Sequence, residues 1–278
     1  EASAVSGDTV FLDEPFRSLW SGKDPFAAVE ALAGEVFREL EGRRTLRTEV
    51  AGRAYFVKIH RGIGWAEIVK NLVSLRLPVL GAQDEWRAIR RLTDVGVDTM
   101  RTVAFGQQGA NPARQRSFIV TEELAPTVSL EDYCSDWATH PPPILLKRAL
   151  IARVAWTART MHAAGVNHRD FYICHFLVHL DPPPTEDRLK LSLIDLHRAQ
   201  VRPTTPRRWR DKDLAALHFS ALDIGLTRRD LLRFLVAYFG YPLRRVVTEE
   251  AALLAHLANE ARQLQARFVR KVAQGEMT

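Results

Sequence analysis

The N-terminal third of the chain alternates short apolar runs with turn residues. Three runs, Glu35–Leu40, Leu46–Val50 and Tyr55–His60, are rich in β-branched, aromatic and aliphatic residues. The segments that join them are short and carry Gly42 and Gly52, which suit tight hairpins. This pattern predicts three antiparallel strands.

Shorter apolar runs predict further strands. Ser117–Leu124 indicates a buried strand that leads into an acidic hinge. Phe176–Leu180 and Lys190–Ile194 indicate two strands around a proline-rich turn. Val10–Trp20 alternates poorly, and we expect it to be a short strand or coil ahead of the domain.

A 3.6-residue apolar repeat predicts helices in the rest of the chain. Gln83–Val95 shows it and is followed by Gly96, and the long segment Ile144–Ala164 shows it and is followed by Gly165. We predict further helices over Leu130–Trp137, from Asp211 onward, from a Thr227–Asp230 capping box through Tyr238, and from Thr248 through the C-terminal apolar stripe.

The chain is longer than most single domains but short enough for one enzyme of two lobes, and we expect an α+β fold. We expect residues 10–123 to form a small β-rich lobe and residues 124–278 a larger, mainly helical lobe. An apolar and basic segment at about residues 62–82 would be an insertion in the first lobe, helical from Trp65 to Leu75. Residues 1–9 do not resemble a signal peptide, and we expect them to be disordered or foreign to the protein.

Composition limits the class of protein. Of 278 residues, 46% are hydrophobic and 26% charged, which favours a folded core over global disorder. Lys and Arg number 39 against 33 Asp and Glu, so the net charge of +6 favours an anionic partner. The two cysteines, Cys134 and Cys174, have no spacing that suggests a zinc site or a disulfide framework, which fits a reducing cytoplasm. We see no apolar run near the ~20 residues that a membrane-spanning helix needs.

The triplet His168-Arg169-Asp170 follows the long predicted helix and matches the catalytic-loop signature of protein kinases. In that loop the Asp accepts the proton of the acceptor hydroxyl, and the residue five positions later holds a metal ion. Asp170 is therefore the candidate catalytic residue, and His175 stands at the metal position in place of Asn. Leu177 stands where kinases put an apolar residue beneath adenine. The alternative interpretation is a buried salt bridge after a helix.

Further residues follow in the order of kinase parts. Lys58, in Phe-Val-Lys-Ile, resembles the strand lysine of kinases, and Glu85 is its candidate partner in the first turn of a helix. Asp195 stands where D-F-G supplies a metal ligand. Asp213 is expected to bond the backbone of the catalytic loop, and His168 to support that loop. The alternatives are an exposed edge-strand lysine and ordinary first-turn acids that suit the helix dipole.

The nucleotide-binding parts depart from the kinase pattern in one place. The first hairpin contains Gly42 alone instead of G-x-G-x-x-G, so Arg43 and Arg44 are candidates to replace glycine amides as phosphate donors. Exposed hairpin arginines are the alternative. Backbone groups near Glu122 to Leu124 are expected to hydrogen-bond adenine.

Together these residues predict phosphoryl transfer from ATP, which depends on positioning and charge cancellation. Lys58, fixed by Glu85, would hold the α- and β-phosphates, and Asp170 would orient the acceptor hydroxyl. Asp195 and His175 would hold Mg²⁺, with Mn²⁺ as a second possibility. Because imidazole is a softer ligand than Mg²⁺ prefers, His175 either binds one metal weakly or contacts phosphate directly.

Four stretches, Tyr55–Arg61, Asn167–Leu177, Ile194–Arg198 and Arg210–Leu217, resemble the lipopolysaccharide core heptose(I) kinases. The likeness runs from about Phe11 to the C-terminal helix. It implies a bilobal protein-kinase-like fold and ATP-dependent phosphorylation of the first heptose of the inner core. It also implies a peripheral location at the cytoplasmic face of the inner membrane of a Gram-negative cell, with an anionic glycolipid as acceptor.

Two alternatives stay open at this point. A protein kinase is disfavoured by the short segment after Asp195 and by the missing A-P-E motif. A non-catalytic nucleotide- or nucleic-acid-binding module would explain the charge but not the retained Lys58, Asp170 and Asp195. Because no basic motif is interleaved with aromatic residues as in RNA-binding proteins, we expect no nucleic-acid partner.

Basic residues beyond the needs of catalysis suggest a docking face. They lie in the segment Arg61–Leu80 and at Arg207, Arg208, Arg210, Arg228 and Arg229. The first interpretation is a face that rests on the anionic membrane surface. The second, suggested by the family resemblance, is a site for an acidic acyl carrier protein, with an apolar slot for its acyl chain within Trp65–Leu77.

Overall fold

The computed structural model describes residues 3–5, 8–40, 42–62, 81–111 and 113–273. The chain divides into two compact units. The first comprises the residues up to Arg90, together with Met100–Leu124 and Leu196–Arg198, and the second comprises Arg91–Thr99, Ala125–Asp195 and the residues from Ala199 onward. The large sheet lies in the first unit and most of the long helices lie in the second, as expected for an α+β fold.

The described part of the first unit contains a seven-stranded antiparallel sheet, with two short helices before its third strand. The strands are β1 (Ser3–Val5), β2 (Asp8–Leu12), β3 (Glu35–Leu40), β4 (Arg43–Val50), β5 (Arg53–His60), β6 (Thr102–Gln108) and β7 (Arg116–Glu122), and the helices are α1 (Phe16–Leu19) and α2 (Pro25–Glu30). The strand order is β1-β2-β6-β7-β5-β4-β3. The three strands predicted between Glu35 and His60 are therefore confirmed.

One face of this sheet carries the core of the first unit. Successive strand residues point to opposite faces, and Leu46 of β4 lies opposite Val57 of β5. Both belong to one apolar cluster with Phe16, Trp20 and Phe26, and each of the five side chains is at most 5% exposed. The α1–α2 segment supplies these three aromatic rings, and thus covers this face.

The expectation that Val10–Trp20 lies ahead of the domain is wrong. β2 pairs with β6 inside the sheet, and the segment after it turns into α1. Its alternation is poor because one short stretch contains both a strand and a helix. In place of the disordered start expected for residues 1–9, Ser3–Val5 pairs with β2.

The opposite face of the sheet carries polar residues of β4 and β5. Thr45 lies opposite Lys58, and Arg43 lies opposite His60. Helix α3 (Gln83–Asp94) packs on this side of the sheet. Its Trp86 stacks on a β6 ring, Phe105, with centroids 4.1 Å apart and planes 6° apart.

The second unit contains most of the helices. They are α4 (Leu130–Tyr133), α5 (Ile144–Ala163), α6 (Arg207–Ser220), α7 (Arg228–Phe239), α8 (Leu243–Glu249) and α9 (Ala251–Ala273). Two small antiparallel sheets accompany them, β8 (Thr127–Ser129) with β10 (Phe176–His179) and β11 (Leu191–Leu193), and β9 (Val166–Asn167) with β12 (Gln200–Val201). The predicted apolar repeat of α5 is confirmed, since Leu150, Val154, Ala158 and Met161 are buried.

Helix ends show where sequence reasoning was right and where it failed. The predicted capping box at Thr227 and Asp230 is present at the start of α7. α6 begins at Arg207 instead of Asp211, because Pro206 pre-sets its start and arginine is a good helix former. α4 is shorter than predicted and ends at Tyr133.

The prediction that Thr248 caps the long C-terminal helix is wrong. Thr248 lies inside α8, where its hydroxyl donates back to the carbonyls of Arg244 and Arg245 at 3.0 and 3.1 Å. The helix breaks at Glu250, and α9 begins at Ala251. A Thr in a helix interior commonly bonds a preceding carbonyl, so its presence did not mark a start.

Most of the expected insertion at about residues 62–82, with its helix from Trp65 to Leu75, lies outside the described residues. Within the helices that are described, no segment is both long and apolar enough to cross a membrane.

Candidate active site

Lys58 and Glu85 form a buried ion pair in the first unit. Lys58 Nζ lies 2.6 Å from Glu85 Oε1, and the two side chains are 15% and 1% exposed. Strand β5 brings Lys58 to the face that α3 covers, and Glu85 lies in the first turn of α3. The pairing expected from the sequence is therefore present. Removing one partner would leave a buried charge, at a cost of roughly 3–5 kcal/mol.

The register of β4 and β5 separates Arg43 from Arg44. Arg43 lies opposite His60 and shares the sheet face of Lys58, whereas Arg44 lies opposite Ile59 on the other face. There Arg44 donates to the backbone carbonyl of Glu30 at 3.3 Å. Of the two candidate phosphate donors, Arg43 is the one on the lysine side.

The face around Lys58 is electropositive and contains unsatisfied polar atoms. Burial of His60, reinforced by the charges of Arg43, Lys58 and His197, lowers the pKa of His60 to about 3. Nε2 of His60 and Oγ1 of Thr45 are buried with no hydrogen-bond partner among the described residues. Because buried polar atoms normally have partners, this face suits an anion that accepts hydrogen bonds.

The acidic hinge Glu122–Leu124 is tied into the sheet by arginines. Arg101 donates a hydrogen bond to the Glu122 carboxylate at 3.0 Å, and Arg47 donates two hydrogen bonds to the Glu123 carboxylate at 2.9 and 2.8 Å. The hydrogen bonds from Arg47 lower the pKa of Glu123. The backbone N–H groups of Glu122 and Glu123 donate to sheet carbonyls. The side chains of these two acids are therefore structural.

Asp213 of α6 holds the catalytic loop in the second unit. Its carboxylate accepts hydrogen bonds from the backbone N–H groups of His168 at 2.7 Å and Arg169 at 2.9 Å. His162 Nε2 lies 3.3 Å from the same carboxylate. Because Asp213 is 1% exposed, these bonds form away from water and hold the loop backbone rigidly. This is the contact expected from the sequence.

His168 connects the catalytic loop to the segment that carries Asp195. Its Nε2 lies 2.9 Å from the carbonyl oxygen of Ile194, and since a carbonyl only accepts, Nε2 carries the proton. The ring is fully buried, and burial lowers its pKa. The ring also stacks on His175, with centroids 5.6 Å apart. His168 is therefore a neutral, structural histidine.

Two residues beside this loop have a strained backbone. Arg169 has φ of 75° and Asp195 has φ of 60°, in the left-handed region that non-glycine residues rarely adopt. Such strain costs about 1–3 kcal/mol for each residue and concentrates at functional sites. Hydrogen bonds from the Arg169 N–H to Asp213 help to maintain it.

His175 contacts both carboxylate-bearing segments. Its Nδ1 donates to the backbone carbonyl of Asp170 at 2.7 Å, so Nδ1 carries the proton. Its Nε2 lies 3.5 Å from Oδ2 of Asp195. With the proton on Nδ1, Nε2 has a lone pair that faces this carboxylate, so the two atoms could share a metal ion.

The donor set of Asp195 and His175 partly fits a divalent cation. Two ligands at right angles around Mg²⁺, each about 2.1 Å away, are roughly 3 Å apart, close to the 3.5 Å observed. The carboxylate suits Mg²⁺, whereas imidazole suits softer ions. In the described part of the chain no group of three or more His, Cys, Asp or Glu residues is placed to hold a metal. An ion here therefore needs further ligands from another source, such as phosphate or water.

Leu177 lies on β10, two residues after His175. The neighbouring Phe176 and Val178 are fully buried, whereas Leu177 is only half-buried. Because side chains alternate along a strand, Leu177 points to the opposite face from these two.

Sequence reasoning missed a group of cations around Trp209. The charged groups of Arg169, Arg202, Arg208 and Lys212 all lie within about 6 Å of its ring centroid. An aromatic residue inside the basic run Arg207–Lys212 was the available signal. Arg202 had no such signal, because its place depends on the pairing of β12 with β9.

Sequence reasoning also missed an apolar cavity of about 430 Å³ in the second unit. Helices α5, α6, α7 and α9 supply most of its wall. Its lining includes Leu130, Trp137, Leu150, Val154, Leu214, Leu217, Leu231, Leu235, Leu254 and Leu257, with Arg228 and Asp230 among the few charged residues. Residues so far apart in the sequence carry no local signal of a shared cavity.

A strand lysine fixed by a helix glutamate and a His-Arg-Asp loop held by a buried aspartate define a class of protein. These are the parts of a protein-kinase-like phosphotransferase. The Lipopolysaccharide kinase (Kdo/WaaP) family model matches residues 27–238, and the chain belongs to that family.

Individual relatives agree with this assignment. The chain is 66% identical over 266 residues to the lipopolysaccharide core heptose(I) kinase WaaP of Pseudomonas aeruginosa, covering 96% of this chain and 98% of that protein. It is 60% identical over 262 residues to the WaaP of Escherichia coli, covering 94% and 99%. A solved structure described as WaaP in complex with acyl carrier protein superposes with a TM-score of 0.83 at 61% identity, covering 92% of this chain and 98% of that chain.

Family membership confirms the protein-kinase-like fold and a phosphotransferase that acts on a sugar of lipopolysaccharide. It implies the use of ATP. It does not favour the alternatives of a protein kinase or a non-catalytic binding module.

Proposed function

We propose that the chain transfers the γ-phosphate of ATP to a hydroxyl of heptose I in the lipopolysaccharide inner core. The observation that carries this proposal in the second unit is the double contact of His175. One ring touches the backbone of Asp170 and the carboxylate of Asp195. The residue expected to orient the acceptor is thereby coupled to the residue expected to hold the metal ion.

Asp170 orients the heptose hydroxyl and accepts its proton as the bond to phosphorus forms. General-base assistance of this kind contributes about 10²–10⁴ in rate. The bonds from Asp213 to the backbone of His168 and Arg169 keep the loop in place, so Asp170 is aligned before the acceptor arrives.

Lys58 binds the α- and β-phosphates, and Glu85 prevents it from turning away. Arg43 adds a second cation on the same sheet face, where a glycine-rich loop would use backbone amides. The unsatisfied atoms of His60 and Thr45 support this role. Charge-assisted bonds to phosphate are about twice as strong as neutral ones, so side chains can replace amides here.

Adenine binds at the hinge Glu122–Leu124 of the first unit. Since the N–H groups of Glu122 and Glu123 donate within the sheet, we assign the adenine contacts to other backbone groups of the hinge. The carboxylates of Glu122 and Glu123 take no part, because arginines hold them.

Asp195 and His175 would hold the divalent cation, Mg²⁺ or Mn²⁺. When bound, such an ion neutralises the charge on the β- and γ-phosphate oxygens. With one carboxylate and one imidazole from the protein, the phosphates and water would complete its coordination.

An assay with ATP labelled at the γ-phosphate tests this function. The acceptors are heptosylated Kdo-lipid A, the same lipid without heptose, and a generic protein. We expect label only in the heptosylated lipid. Asp170→Asn should lower kcat by about 10²–10⁴ while the thermal shift with Mg-ATP is kept, and the exposed Asp187→Asn is the matched control. Label in the heptose-free lipid or the protein, or normal turnover by Asp170→Asn, would contradict the proposal.

We further propose that an acidic acyl carrier protein docks on the second unit with its acyl chain in the cavity. A relative was solved with such a partner. The cavity volume of about 430 Å³ falls in the range of roughly 300–1,000 Å³ typical of small-molecule pockets. Arg228 lines it, and Arg229 follows in the first turn of α7, so basic groups stand beside an apolar slot. Tighter binding of an acylated than of an unacylated carrier would support this docking.

The slot that we expected within Trp65–Leu77 lies outside the described residues. The other basic residues of the expected docking face suit the anionic headgroups of lipids. We therefore propose a peripheral location at the cytoplasmic face of the inner membrane. Binding to anionic vesicles that weakens with salt would support it, since each Lys or Arg near such a surface contributes about 1 kcal/mol.

A further inference from the structure

Attraction to the single aromatic ring of Trp209 does not explain why several cations lie so close to it. Trp209 lies in the first turn of α6, and the charged groups of Arg169, Arg202, Arg208 and Lys212 lie 6.0, 5.9, 5.3 and 5.0 Å from its ring centroid. Attraction of each cation to an indole is weak at exposed sites, whereas the charges of Arg202, Arg208 and Lys212 repel one another. An anion among them would relieve that repulsion.

Arg202 is held in this group by neutral contacts. Its backbone N–H donates to the carbonyl of Gly165 at 2.9 Å, and a Cβ on Gly165 would collide with the Arg202 carbonyl. Its guanidinium donates to the side-chain oxygens of Asn167 and Gln200. These amides fix the direction of the guanidinium and leave its charge uncompensated.

The start of α6 adds to the positive charge. Arg207 and Arg208 occupy the first turn, although cations are disfavoured at a helix N-terminus. Within the described residues, Asp211 pairs with Arg210 at 2.8 Å and with Arg207 at 3.6 Å. Arg208 and Lys212, one turn apart, are like charges that repel. A sequence kept for stability alone would not combine these features.

We propose that Trp209, Arg202 and Arg208 bind a carboxylate-bearing sugar of the acceptor, next to the heptose that is phosphorylated. The inference rests on the proposed function and adds the group by which the acceptor is recognised. The indole packs against the apolar face of a pyranose ring, and the planar guanidinium groups take the carboxylate in two-pronged contacts. Kdo, the sugar acid in the family description, has this chemistry.

The position of the cluster fits this role. Arg169 belongs to it and immediately precedes Asp170, so a sugar acid held here sits beside the residue that orients the hydroxyl. The cluster combines a half-buried ring with two exposed cations, Arg208 and Lys212, which leaves an open surface for a saccharide. A neutral sugar would leave the charges of Arg202, Arg208 and Lys212 uncompensated, so the site discriminates by charge.

The test compares two acceptors, heptosylated Kdo-lipid A and the same compound with its Kdo carboxyl groups reduced to alcohols. We expect reduction to raise the KM of the unaltered enzyme for acceptor by about ten- to hundredfold, the loss of a charge-assisted hydrogen bond. Arg202→Gln and Arg208→Gln should raise the KM for the native acceptor, and in these variants reduction of the carboxyl groups should raise the KM much less than in the unaltered enzyme. Trp209→Leu should raise the KM for both acceptors. The KM for ATP should not change.

Arg153 and Trp156 of α5 provide the matched control, because they form a cation–π pair of 5.4 Å in the same unit. Arg153→Gln and Trp156→Leu should leave both KM values unchanged. If Arg202→Gln fails to fold, the exposed Arg208→Gln still decides between the two outcomes. Equal KM values for native and reduced acceptor in an active enzyme would overturn the inference and leave the proposed function standing. Absence of transfer to either acceptor would overturn both.

Discussion

His175 shows how one substitution in a motif changes its chemistry. An Asn at this position would offer an oxygen to the metal ion and an N–H to the loop. His175 keeps the loop contact through Nδ1 and offers a nitrogen, Nε2, towards Asp195. The side chain therefore has an observed contact, with the Asp170 backbone, and a proposed role, ligation of a cation.

Substitution of His175 can separate this contact from the proposed role. We expect His175→Asn to keep partial activity, because an amide can donate to the Asp170 carbonyl and present an oxygen to the ion. His175→Ala should lose at least about 10² in kcat/KM, as it loses both contacts. Titration of each variant with Mg²⁺ and Mn²⁺ is the measurement. Asn should shift the preference towards Mg²⁺, which favours oxygen ligands.

The control for this prediction is His179→Asn. His179 of β10 forms a hydrogen bond with Ser192 of β11 and has no assigned catalytic role. It should behave like the unaltered protein. Identical behaviour of the Asn and Ala variants at all metal concentrations would mean that His175 does not bind the ion.

At the scale of elements, β4 shows how a strand sorts adjacent residues. Arg43 and Arg44 are neighbours with the same charge, yet only the register with β5 decides which one shares the face of Lys58. A shift of one residue would exchange them. The sheet therefore turns two equivalent arginines into one candidate phosphate ligand and one structural residue.

Arg43→Gln should raise the KM for ATP by about ten- to hundredfold, because a charge-assisted hydrogen bond to phosphate is lost. Arg44→Gln should leave that KM unchanged and slightly lower the melting temperature, since Arg44 bonds the carbonyl of Glu30. The affinity for adenosine, which has no phosphate, should be the same in both variants. An equal rise of KM in both would mean that the register does not select the phosphate ligand.

At the scale of the whole molecule, the cavity lowers the stability of the second unit when it is empty. Interiors are normally close-packed, and empty apolar space forfeits contacts. A carrier that fills the cavity should therefore stabilise the entire chain. At a carrier concentration of 100 times its Kd, the gain is about 2.7 kcal/mol, or a rise in Tm of roughly 5–10 °C.

Filling the cavity from within tests this prediction. Ala258 lines the cavity on α9, and Ala258→Phe should abolish the rise in Tm with acylated carrier while kcat is retained. Ala266→Phe, at an exposed position of the same helix, is the control and should keep the rise. An undiminished rise with Ala258→Phe would show that the acyl chain does not enter this cavity.

The sequence by itself determined the parts whose signals are local. The strands at Glu35–His60, the apolar repeat of α5 and the capping box of α7 follow from periods and short motifs, which neighbouring residues carry. Lys58, Asp170 and Asp195 became candidates because a motif requires a residue type at a fixed place. Thr248 and Val10–Trp20 were misread for the same reason: a local pattern that fits a cap or a coil also fits a helix interior or a strand beside a helix.

The features that depend on contacts between residues distant in the chain were decided by the tertiary structure alone. The separation of Arg43 from Arg44 needs a strand register, and the two contacts of His175 need a folded loop beside Asp195. Arg202 reaches Trp209 because β12 pairs with β9 and Gly165 admits a close backbone approach. The cavity arises from four helices that each look like ordinary amphipathic segments. Long-range packing sets these features, and no local stretch of sequence carries enough information to specify it.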